Sequence, residues 1–215
     1  MASLDPRILA AWSATAGLHE PGDHGSVEDL ETVEKELGRR LPLAFRELNL
    51  RHDGGSWLGG DLQLMPLLTG GDLSVVRASA AHRASDWPVP DEVVIVGSNG
   101  GGDPFGLWFP ATSARPVVVQ LGAIFEPGCM GVVGEDLNAF LRAWTAYYLL
   151  LPDRDATTAG LDALELPARL RADDPNDETF TQIIQWASPS LTGSISYPYE
   201  AQLTADDVRR IAEAS

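Results

Sequence analysis

Cysteine is almost absent from this chain of 215 residues, and Cys129 stands alone. No internal disulfide can form, and a zinc site built from several thiolates is excluded. Strong bases are also scarce: 15 Lys and Arg stand against 31 Asp and Glu, a formal charge of -16 at pH 7. Such a surface repels a nucleic-acid backbone and an anionic membrane alike, and it suits a basic protein partner. Long apolar runs are missing too. The longest, residues 143–151, is far shorter than the roughly 20 residues that cross a bilayer, so it reads as the end of a buried helix. The first residues include Asp5 and never build the apolar core of a signal peptide, so the expected location is cytoplasmic.

What is present is a chain rich enough in apolar residues, at 44%, to bury a sizeable core. Asp5 is placed to cap a first helix with Pro6 at its first position, and Ile8, Ala11 and Trp12 share one side of it. Residues 17–25, with Pro21 and three glycines, read as a linker. Ser26 and Asp29 then form a capping-box-like pair opening a second helix. Its expected buried stripe is Val27, Leu30, Val33 and Leu37, with Glu28, Glu31 and Glu34 toward water and Gly38 as its stop. Leu41-Pro42 opens a third helix, which turns Phe45 and Leu48 inward and runs out at His52-Asp53-Gly54-Gly55.

Beyond Trp57 the pattern becomes strand-like. Leu62-Gln63-Leu64 alternates, and Val93-Val94-Ile95-Val96 is dense enough in β-branched residues to be a central strand. An alanine-rich helix is expected over residues 73–85, ending before Trp87-Pro88-Val89-Pro90, where two prolines impose an extended approach. Residues 97–103 read as a turn, followed by strands around Leu107-Trp108-Phe109 and Val117-Val118-Val119. Leu137, Phe140, Leu141, Trp144 and Tyr148 recur at helical spacing behind Glu135 and Asp136, and Pro152-Asp153-Arg154-Asp155 marks the end of that helix. The acidic remainder reads as ordered pieces joined by a solvent loop over residues 171–178, with Ile183 and Trp186 as anchors and Thr204 capping a final helix.

The order of these pieces resembles the SUKH superfamily, which includes fungal cell-wall regulators and many bacterial toxin-immunity proteins. The carriers are Glu36-Leu37-Gly38, Leu41-Pro42, Phe45, Leu48, His52-Asp53-Gly54-Gly55, the glycine-rich stretch 97–103 and Phe140-Leu141. Asp53 stands where the family usually has Asn before Gly-Gly, and either side chain can cap that turn. The resemblance implies an α+β fold, a single mainly antiparallel sheet backed by helices, here with an added C-terminal segment. The expected division is residues 1–25 as helix and linker, 26–152 as the SUKH-like core and 153–215 as a docked extension. The implied function is non-enzymatic binding of another protein, foremost as an immunity protein covering a basic toxin domain. A regulatory adaptor for a cellular protein is the alternative, and an uncharacterised hydrolase comes third.

The residues support no catalytic, cofactor or metal set. Residues 99–103 carry neither the Lys-Ser/Thr of a phosphate loop nor dinucleotide-binding spacing, and Asp103 opposes phosphate. His52-Asp53 has no companion nucleophile, and reads as a helix-end histidine beside a turn. His19, His24 and His82 have no paired metal-ligand spacing, and Cys129 reads as a small structural residue. The candidate partner contacts are Trp57, Asp61, Asp103 and Trp108, because they border turns on a rigid scaffold; the competing reading puts both tryptophans in the core.

Overall fold

A computed structural model describes residues 2–68, 73–86, 89–110, 115–122, 129–151, 158–191 and 203–214. Trp87-Pro88, the turn before Cys129 and the stop at residues 152–155 lie outside this set. Among the described residues a single meander runs through eight strands in chain order, every neighbour antiparallel. They are β1 (Glu20–Pro21), β2 (Gly55–Trp57), β3 (Leu62–Leu64), β4 (Val93–Asn99), β5 (Pro104–Trp108), β6 (Val117–Gln120), β7 (Cys129–Gly134) and β8 (Leu203–Thr204). The helices are α1 (Pro6–Ala14), α2 (Val27–Leu37), α3 (Leu43–Arg51), α4 (Val75–Arg83), α5 (Leu137–Leu150), α6 (Thr158–Ala163), α7 (Asp177–Ala187) and α8 (Ala205–Ala214). The class is α+β, as expected. Residues 93–96 do form the interior strand β4, buried throughout because both faces of the sheet are covered.

Local signals set most helix ends. The Asp5 carboxylate accepts from the Arg7 amide, Ser26 from Asp29 and Asp136 from Ala139, each satisfying a first-turn donor. Gly38 closes α2 at φ 66°, a left-handed conformation costly for other residues. Two positions on α2 depart from its periodicity. Val27 is 53% exposed, although the helical period places it on the inward stripe. Glu34 is not in water: its carboxylate pairs with Arg46 of α3 at 2.6 Å and accepts from the Leu41 amide, clamping the corner between the two helices.

The linker expected over residues 17–25 is also more ordered than its composition suggests. It contains a 3-10 turn, Ala16–Leu18, and then β1, which pairs with β2 through Glu20↔Ser56 and Pro21↔Gly55. Further along, β4 continues to Asn99, which shortens the expected turn to residues 100–103.

The C-terminal extension is built onto α5. Phe180 of α7 packs on Trp144 and Tyr147, Ile183 and Ile184 are buried, and Trp186 lies under the Arg142 guanidinium at 4.4 Å. Asp5 gathers Arg7 and Arg142, and Arg7 reaches on to Glu165 at 2.8 Å, so α1, α5 and the segment after α6 share one ionic cluster. Burial works against the Asp5 carboxylate, but the hydrogen bonds from Arg7 outweigh it and hold its pKa below the usual value.

Candidate functional site

A concavity with titratable walls lies where α1 and β1 meet the end of α3 and β2. It is a groove of about 300 Å³ whose walls include Trp12, His19, Pro21, Arg51, His52 and Trp57. Trp12 and Trp57 stack at 4.1 Å, His19 lies 5.3 Å from Trp57, and His52 meets the Trp57 edge at 5.3 Å. His24 stacks beyond His52 at 6.3 Å. Trp12 is pinned from behind, its indole N–H donating to Thr145 of α5 at 3.1 Å.

His19 is locked by its hydrogen bonds. The Leu58 amide donates to Nδ1 at 3.1 Å, which leaves the ring proton on Nε2, and Nε2 donates to the Thr15 hydroxyl at 2.8 Å. That hydroxyl in turn donates to the Ala11 carbonyl at 2.9 Å. The arrangement admits only the neutral imidazole. Burial pushes the His19 pKa down to about 4. The contact also holds Leu58 at φ 55°, a left-handed conformation that a non-glycine residue adopts only under constraint.

This locking predicts acid sensitivity. The unfolded chain takes up the His19 proton near pH 6.5, the folded chain only near pH 4, so stability is complete above 6.5 and falls as pH drops between these values. For a partly exposed ring the loss is about 1–2 kcal/mol. Urea melts across this range check it, and His19→Gln, which keeps a donor and an acceptor without titrating, should flatten that part of the profile.

His52 caps the end of α3, as expected, but the helix dipole does not govern its charge. Burial lowers its pKa, against a hydrogen bond to the Gly22 backbone that favours the protonated form, and His24 and Arg51 lower it further. Ser13 brings a hydroxyl to the groove wall, but it is exposed and makes no hydrogen bond to His19 or His52. Among the described residues no group of three or more His, Cys, Asp and Glu could hold a metal ion. The Asn99–Asp103 turn spends its donors on itself: Asn99 Oδ1 accepts from the Gly101 and Asp103 amides, and its Nδ2 donates to Asp103 Oδ2 at 3.1 Å. It is a closed structural turn.

The four expected partner contacts separate into two pairs. Trp57 is 3% exposed and Trp108 0%, so both indoles are core, and the expectation that they offer contact surface is corrected: flanking turns do not expose a ring that distant segments cover, as Trp12 of α1 covers Trp57. Asp61 and Asp103 remain half-buried at one end of the sheet, where Leu62 pairs with Asn99 and Gly100 sits against Asp61. Trp108 ends β5 about five residues, roughly 17 Å, from Asp103. The groove residues Pro21 and Arg51 carried no local signal, since neither belongs to a motif and only tertiary packing brings them beside Trp57.

Fold and site together define an α+β domain whose meander sheet carries helices and closed turns. The model of the SMI1 / KNR4 family (SUKH-1) matches residues 25–143, more than half of the chain, and the protein belongs to that family. No curated protein matches the sequence. The matched segment holds β2–β7 and α2–α4 with the first half of α5, whereas α1, β1, α6–α8 and β8 lie outside it. No helix among the described residues is long and apolar enough to cross a membrane.

Proposed function

We propose that this protein is a cytoplasmic immunity protein, which neutralises a toxin by covering a basic domain of it. The exposed face of α2 is the observation that carries the reading. There Val27 projects beside Glu28 and Glu31, all exposed and all inside the family-matched segment, in a chain of net charge -16. An apolar residue flanked by acids suits a basic protein surface, and the charge accelerates encounter with it. Asp61 and Asp103 are proposed as additional contacts, because both stay partly accessible at one end of the sheet. The extension over residues 153–215 is proposed as an accessory layer that shapes the partner surface without forming an independent domain.

The test is co-expression with a modular toxin encoded beside the gene. Protection of the cells, and a stable complex of the purified pair, are expected. Glu28→Lys combined with Glu31→Lys should slow association by about tenfold at low salt and by much less at high salt. Failure to bind or protect, together with recovery of a stable complex with a cellular protein in cells that lack the toxin, would assign the regulatory role instead.

A further inference from the structure

Two surfaces of the family-matched segment are covered by a piece of chain from outside it. Leu203 and Thr204 of β8 pair with Met130 and Cys129 on the outer side of β7, and α8 follows at once. Thr204 caps that helix, its hydroxyl accepting from the Asp207 amide at 3.3 Å while Asp207 accepts from the Thr204 amide at 3.0 Å. Val208 and Ala212 of α8 are buried, Ile211 packs beside them, and Arg209 reaches Glu92, the residue before β4, at 3.6 Å. Contact with β7 and reach to Glu92 place α8 over the strands between them.

The hold on this piece is slight. Its strand is two residues long, its fully buried helix side chains are a valine and an alanine, and its link to Glu92 is a partly exposed ion pair. The surface beneath is otherwise complete, with β4 to β7 paired to one another independently of β8. We propose that β8 and α8 form a detachable strap over a helix-docking site, and that the site's partner is a basic amphipathic helix of another protein. The resident helix specifies what fits: a β-branched residue, then a base that pairs with Glu92, then apolar residues three and four positions on, as in Val208, Arg209, Ile211 and Ala212. The net charge of -16 favours a cationic helix over a neutral one. This surface involves none of Val27, Glu28 and Glu31, so the inference stands whether or not the partner is a toxin.

The probe is a labelled peptide copying residues 203–215, added to full-length chains. The double variant Val208→Asp with Arg209→Glu should keep its far-UV circular dichroism and a cooperative melt while releasing the strap. It should then bind the peptide at least tenfold more tightly than the unmodified chain, and a peptide carrying Arg209→Glu should bind at least fivefold more weakly. A folded variant that ignores the peptide, an unmodified chain that binds it equally well, or global unfolding of the variant would each overturn the proposal. Hydrogen exchange on the unmodified chain is an independent check: amides of residues 208–212 should be protected at least 100-fold less than those of 93–96, and equal protection would make α8 an integral part of the core. A concentration-dependent dimer that exchanges its straps would overturn the hetero-partner and make the occupant a second copy.

Discussion

Trp57→Ala is expected to cost about 3–5 kcal/mol of stability, the range for emptying a fully packed aromatic site. The ring is 3% exposed and is held by the face of Trp12 at 4.1 Å and the rings of His19 and His52, both at 5.3 Å. Its removal opens a void bordered by α1 and by the segment that carries His19. Chemical denaturation checks the size of the effect. An interface residue would behave differently, with an unchanged midpoint and a selective loss of partner binding, and that result would return Trp57 to the contact surface.

Gly55→Ala should cost on the order of 3 kcal/mol, combining a strained backbone with a clash against main chain. Gly55 sits at φ 122°, and a Cβ there would lie 2.6 Å from the Gly22 nitrogen and 2.8 Å from the Glu20 oxygen. These are atoms of β1 and the residue after it, so relief requires β1 to leave the sheet. With β1 goes His19, the residue immediately before Glu20, and its hydrogen bond from Leu58. The expected signature is therefore double: a lower urea midpoint, and an NMR titration of His19 that moves up from about 4 toward 6.5. Gly17→Ala is the control, since nothing lies within 4 Å of the added carbon and its φ is not positive. An unchanged His19 titration in a destabilised Gly55→Ala chain would show that β1 does not depend on this glycine.

These two residues illustrate where reading the chain succeeds. Asp53-Gly54-Gly55 is legible as a turn because glycine at positive φ is a local requirement, visible wherever polar and glycine residues interrupt a periodic pattern. Its second use, letting the N-terminal arm pack against β2, is invisible locally because the atoms it makes room for lie more than thirty residues earlier. Trp57 shows the same division. Its neighbours suggest a turn-side aromatic available for binding, and only the approach of Trp12 from α1 makes it core.

The chain by itself determined its helices, its central strands, the lack of disulfides and the acidic character of its surface. Those follow from caps, from periods of 3.6 and 2, and from charge, all of which act between residues close in sequence or need no geometry at all. It also carried the family likeness, through glycines, prolines and apolar positions whose spacing survives without any contact being known. The tertiary structure alone decided that Glu34 is paired with Arg46, that β1 and β8 extend the sheet, that His19 is held neutral and that Asp61 and the Asn99–Asp103 turn lie together. A two-residue strand has no period to read, and an ion pair or a ring stack exists only when two distant segments arrive at one place. That is why the scaffold was legible in the sequence and its surfaces were not.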